Sequence, residues 1–171
     1  RTSTELAVKG IAKQFLHLER PILIGFSLGG LWSLLLARTG FSQTVISIST
    51  AAPTNYFQIT LPRLFLLSKS LFLGHPFQFD DAACEKYIMA DLSPRFRRDL
   101  SQHLFPESAS LIRDYGLHRK FSALSRSDEV YLKNFVKGIF LVGDKDQICP
   151  PKQQLDLAKR LGFHQEVYPV G

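Results

Sequence analysis

Ser27 stands where a serine is hard to place. It lies in Gly25-Phe26-Ser27-Leu28-Gly29, followed by Gly30, with an apolar run on each side. A hydroxyl is a weak nucleophile until an imidazole takes its proton, and that imidazole needs a carboxylate to hold its tautomer. The chemistry this arrangement allows is acyl transfer through a covalent intermediate, given an acid, a base and N–H groups to receive the developing charge. The same spacing also fits a glycine-rich strand-to-helix turn that only packs. The short string alone does not separate the two.

The elements around Ser27 carry more information. Residues 21–26 (PILIGF) predict a short buried strand, and residues 28–38 a buried helix closed by Gly40. Glycines two positions to either side of Ser27 suit a sharp turn in which strand and helix nearly touch. Such a turn exposes Oγ at the carboxyl edge of a sheet, with the free N–H groups of a helix start behind it.

Upstream, Thr2-Ser3-Thr4-Glu5 has capping-box spacing, and Val8, Ile11, Ala12, Phe15 and Leu18 form one stripe. That pattern predicts an amphipathic helix ending before Pro21. Residues 44–49 (TVISIS) read as another buried strand, so the order helix, strand, helix, strand implies parallel pairing. Residues 54–137 show helix signals and no strand. These are 61–73 ended by Gly74, 80–90 opened by two acids, a start at Ser93-Pro94, and another at Pro106 ended by Gly116. Strands resume at 138–142 and 165–168, with a helix over 151–161 stopped by Gly162 between them. The expected class is α/β, a mostly parallel sheet with flanking helices. It divides into core 1–53, helical insertion 54–137 and core 138–171.

With 171 residues, 45% hydrophobic and 21% charged, the composition is that of one soluble domain. Residues 21–37 carry no charge, but the Ser-Leu-Gly-Gly turn interrupts them, so no transmembrane segment is expected. Cys84 and Cys149 are too few for a disulfide framework; reduced thiols and the cytoplasm are the expectation. The net charge of +6 is spread thinly, and its one tight group (Arg95, Arg97, Arg98) lies near Asp91 and Asp99. A solvated face fits that better than a nucleic-acid surface. No metal-ligand spacing and no phosphate-cradling loop is present, so no metal and no cofactor is expected; the expected partner is a small-molecule substrate.

GFSLGG between that strand and that helix resembles the nucleophile elbow of the α/β-hydrolase superfamily, and the inserted helices resemble the cap that many members carry. The resemblance implies Ser27 as nucleophile and the backbone N–H of Leu28 as part of the oxyanion hole, with chain order nucleophile, acid, histidine. Residues 140–150 contain Gly143-Asp144-Lys145-Asp146 and then Pro150, a G-D-x-D-x-x-x-P pattern similar to the superfamily's acid loop. This implies Asp146 as the acid, with Asp144 as the alternative or a turn residue; taken alone, Asp146 reads as an Asx-turn or cap.

By the same resemblance the histidine is expected just after Gly171. His164 precedes the last strand, at the opposite sheet edge, and His17 lies near the end of the first helix. His75, His103 and His118 fall in the cap and read as surface or packing residues. The resemblance thus covers the C-terminal two-thirds of the superfamily domain, without its first strands and its last loop and helix. The isolated chain is expected to turn over little, for want of its base.

Phe57, Phe65, Phe72, Phe77, Phe79, Tyr87 and Phe96 suggest a small apolar acyl or ester substrate. Residues 61–67 read as packing, or else as a greasy entrance touching a membrane surface. Cys149 reads as a small buried filler. A serine at the elbow weighs against epoxide hydrolases and haloalkane dehalogenases. An acyltransferase, a carbon–carbon hydrolase, a haloperoxidase or a non-catalytic small-molecule-binding relative remain open on the same fold.

Overall fold

The computed structural model describes residues 3–56, 67–77, 92–103, 105–117 and 121–170. Four strands form one sheet: β1 (Ile22–Phe26), β2 (Thr44–Ile48), β3 (Lys137–Gly143) and β4 (His164–Tyr168). They lie side by side in chain order and every pair is parallel. Phe26 is level with Ile48, Ile48 with Leu141, and Gly143 with Tyr168, so the loops leaving β1 and β3 emerge at one carboxyl edge. The α/β class expected from the sequence is the one observed.

Helix α1 (Thr4–Gln14) is capped by Ser3, whose hydroxyl accepts from the N–H of Leu6 at 3.2 Å. It buries Val8 and packs Ile11 and Ala12 partly on the core. The helix stops at Gln14, short of the expected end before Pro21. Beyond Ala12 the apolar stripe finds little to pack on among the described residues, and Phe15 and Leu18 remain 38% and 44% exposed.

Helix α2 (Leu28–Ala37) is buried as expected: Leu31, Leu34, Leu35 and Ala37 are fully covered. They meet Val45 of β2, Phe140 and Val142 of β3, and leucines from two later helices. The expectation of a buried first strand is corrected. Among the described residues β1 is the outer strand, paired on one side only, and Ile22, Ile24 and Phe26 are 64%, 67% and 64% exposed. Its alternate residues, Leu23 and Gly25, face the protein.

Between β2 and β3 the regular elements among the described residues are helices, joined by turns and irregular segments, apart from one antiparallel bridge between Phe77 and Glu107. A π-helical turn (Lys69–Leu73) closes on Gly74 at φ 74°, the stop expected there. Helix α3 (Pro94–Ser101) has the expected Ser93 cap and first-turn proline. Helix α4 (Ala109–Leu117) starts later than Pro106 and runs one residue past Gly116. Leu71, Phe77 and Ile112 form a small core of their own. The helix expected over 80–90, most of that over 61–73, Cys84, Phe57, Phe65, Phe79, Tyr87, His118 and Gly171 lie outside the described residues.

Helix α5 (Arg126–Phe135) opens with a full capping box: Ser125 Oγ accepts from the Asp128 N–H, and Asp128 accepts from the Ser125 N–H. Its Leu132 is fully buried in the main core beside α6 (Pro151–Leu161), which ends on Gly162 at φ 68° as expected. Arg38 anchors the loop before α5, donating to the carbonyls of Ala123 (2.7 Å) and Phe121 (3.1 Å), with Asp128 at 3.4 Å. Among the described residues no helix is long and apolar enough to cross a membrane.

Candidate active site

The turn between β1 and α2 holds Ser27 at φ 51°, ψ −118°, a backbone conformation that a non-glycine residue adopts at a cost of about 1–3 kcal/mol. Three backbone bonds pin it there. Its N–H donates to the Ile48 carbonyl at 3.0 Å, and its own carbonyl accepts from Gly30 (3.0 Å) and Ala51 (2.9 Å). The Ser27 side chain makes no capping bond to the helix it precedes, which leaves Oγ available for other partners. The N–H groups of Leu28 and Gly29 begin α2, where no preceding helical turn supplies acceptors. A negative charge forming beside Oγ would meet them.

Of the two glycines the spacing marks for close approach, Gly25 has it and Gly29 does not; the second close approach is at Gly30. A Cβ on Gly25 would lie 2.2 Å from the Gly29 carbonyl oxygen, and one on Gly30 would lie 2.4 Å from Thr50 Oγ1. A Cβ on Gly29 would meet no atom within 4 Å. Gly29 faces open space at the site; Gly25 and Gly30 are the residues that let strand and helix touch. Ser49, at the end of β2, also has a positive φ of 44°, which nothing in its sequence context announces.

The loop after β3 brings Asp146 to the same edge. Its backbone is tied to the exit of β4: the Asp144 N–H donates to the Tyr168 carbonyl at 2.9 Å, and the Lys145 N–H to the Val170 carbonyl at 3.2 Å. Asp146 is half-buried and its carboxylate is held from two sides. Oδ1 accepts from the N–H groups of Ile148 (2.9 Å) and Cys149 (2.7 Å), and Oδ2 lies 3.4 Å from Gln154 Nε2. Asp144 is exposed.

Ser27 opens onto a cavity of about 320 Å³, lined by Phe26, Leu28, Gly29, Trp32, Ala51, Leu67, Phe77, Glu107, Ile112, Tyr115, Ile148 and Cys149. Residues from 26–51, 67–115 and 148–149 therefore share this wall. The lining is apolar but for Ser27, Glu107 and the Tyr115 hydroxyl, which donates to the Ala52 carbonyl at 2.7 Å. Cys149 is buried, as expected of a filler, and also lines the cavity. Asp146 is not in the lining; its neighbours Ile148 and Cys149 are.

Among the described residues no histidine lines the cavity. His17 and His75 are exposed, His103 Nδ1 sits 2.7 Å from the Asp99 carbonyl, and His164 opens β4 with Glu166 at 3.7 Å. Among the described residues no group of three His, Cys, Asp or Glu could hold a metal ion. Gln154 was not legible as a site residue. Its only sequence sign is a polar residue on the inward stripe of α6.

No family model and no curated protein matches the chain. Solved structures do. An extracellular α/β-hydrolase from a Paenibacillus species superposes with a TM-score of 0.74 at 12% identity, over 98% of this chain and 71% of its own. A lipase-esterase related protein from Clostridium acetobutylicum gives 0.69 at 14% identity, over 99% and 68%. The monoacylglycerol lipase of Paleococcus ferrophilus gives 0.63 at 21% identity, over 97% and 66%. The chain spans about two thirds of the length of these proteins, and nearly all of it superposes on them. The parallel sheet, the strained serine between β1 and α2 and these superpositions agree: the chain has the α/β-hydrolase fold.

Proposed function

We propose that this chain carries the nucleophile and the orienting acid of a serine hydrolase that cleaves an ester or similar acyl bond in a small apolar substrate. The observation that carries the reading is Ser27 itself, held at positive φ with an uncapped hydroxyl on the wall of an apolar cavity. Asp146 supplies the acid. β1 and β3 are separated by β2 alone, so the two loops start about 10 Å apart, a span that two side chains and one imidazole can bridge. The first N–H groups of α2, Leu28 foremost, receive the oxyanion.

The base is a histidine following Gly171. The Val170 carbonyl already bonds the Lys145 N–H, so a chain continuing from β4 enters beside Asp146. In this reading the 171 residues alone turn over little, and residues 54–137 contribute the cap that lines the cavity. The neighbours, named lipase, esterase and enol-lactonase, add support for acyl chemistry.

The test uses the polypeptide extended to its natural termini. A fluorophosphonate probe is expected to label Ser27, and p-nitrophenyl esters to be hydrolysed; both are lost on Ser27→Ala. Full hydrolysis by Ser27→Ala sinks the reading. Tight ligand binding without turnover in the parent protein would instead mark a non-catalytic binder, and product transfer to alcohol in preference to water an acyltransferase.

A further inference from the structure

Gln154 sits on the inner face of α6 and is 1% exposed. A buried side-chain amide is stable only where its oxygen and nitrogen both find partners. Here the oxygen accepts from the backbone N–H of Thr50 at 2.9 Å. The nitrogen is shared between the Cys149 carbonyl at 2.5 Å and Asp146 Oδ2 at 3.4 Å. Thr50 belongs to the segment after β2 that borders Gly30 and, one residue on, bonds the Ser27 carbonyl through Ala51. One side chain thus joins the segment that braces the serine to the loop that carries the acid.

We propose that Gln154 is a positioning residue for the Ser27–Asp146 pair. The inference rests on the reading of those two residues as nucleophile and acid. The two N–H groups on Oδ1 oppose a twist of the carboxylate about its Cβ–Cγ bond, since that twist carries Oδ1 away from them. The Gln154 amide adds a contact on Oδ2 that opposes the same twist. A carboxylate so aimed fixes the tautomer whose second nitrogen faces Ser27. The bond to Thr50 holds the acid loop at a set distance from the elbow.

Gln154→Glu and Gln154→Met test this in the polypeptide extended to its natural termini, with Ser27→Ala alongside. Gln154→Glu keeps the size and can still accept from Thr50, but it cannot donate to Asp146 and adds a second negative charge beside it. Its kcat, per folded molecule by thermal melt, is expected to fall at least tenfold with KM within twofold. The acid limb of its kcat/KM profile is expected to move to higher pH, because the added charge favours the imidazolium. Gln154→Met is expected to lower kcat comparably at unchanged KM. If both variants lose thermal stability yet keep the parent's kcat and acid limb, Gln154 only packs and the proposal is overturned. If one variant does not fold, the other decides alone. Parental turnover in Ser27→Ala instead overturns the assignment of the nucleophile, and this inference with it.

Discussion

At Ser27 the fold keeps a strained backbone in place with three hydrogen bonds, and removing its hydroxyl leaves all three intact, since each uses main-chain atoms. Ser27→Ala is therefore expected to abolish ester hydrolysis without loss of thermal stability. Asp146→Asn keeps the acceptor for Ile148 and Cys149 but offers an imidazole an amide in place of a charge, and should lower kcat by about 10²- to 10⁴-fold. A parental kcat in that variant would remove Asp146 from the machinery. The glycines divide in a checkable way. Gly25→Ala drives a methyl into the Gly29 carbonyl and is expected to destabilise by about 1–3 kcal/mol, read from urea midpoints. Gly29→Ala meets nothing, and alanine is the better helix former by up to about 1 kcal/mol, so its midpoint should be equal or higher. Equal losses in the two would contradict the geometry. Pattern reading located the turn and the serine, but the clash at Gly30 depends on Thr50, twenty positions away, and spacing cannot report it.

The helices around the sheet are tied by a few polar contacts that reach across the sequence. Tyr56, in the segment after β2, donates through its hydroxyl to Glu129 of α5, accepts from Arg160 of α6 at 3.2 Å, and stacks under that guanidinium at 5.1 Å. Burial, and then the Glu129 carboxylate, raise the phenol above its usual value near 10, against an opposing pull from Arg160. A raised folded value for a group that is neutral when protonated gives stability that is complete below the unfolded value and is lost as pH rises through the folded one. Tyr56→Phe should cost about 1 kcal/mol at neutral pH, and its melting temperature should fall less steeply than the parent's above pH 10. Parallel slopes would rule the coupling out. Tyr168, raised by Glu166 and exposed, titrates in both proteins and does not affect the difference. The strands, α2, α6 and the stops at Gly74 and Gly162 were legible because each has a dense apolar pattern or a marked end. α5 was not singled out: its capping box is plain in Ser125 and Asp128, but its single fully buried residue, Leu132, is a weak stripe.

Among the described residues of the 171-residue chain the main core is one-sided about the sheet's outer strand. Ile22, Ile24 and Phe26 project from β1 on the face away from α2, and the outer backbone edge of β1 pairs with no described strand. An apolar run reads the same in sequence whether the protein covers both of its faces or one, so the buried strand expected there could not be told from this one. An unpaired edge beside an apolar face is a template for another strand. The 171-residue chain is therefore expected to self-associate through β1, seen as a sedimentation coefficient that rises with concentration. Ile24→Lys places a charge at the centre of that face. Because Ile24 is 67% exposed, the change should leave folding stability within about 0.5 kcal/mol while returning the chain to a monomer. A parent that sediments as a monomer at every concentration would mean the exposed face is tolerated as it stands. Association that persists in Ile24→Lys would place the contact elsewhere, with the exposed Phe72, Leu73 and Phe105 next to be changed.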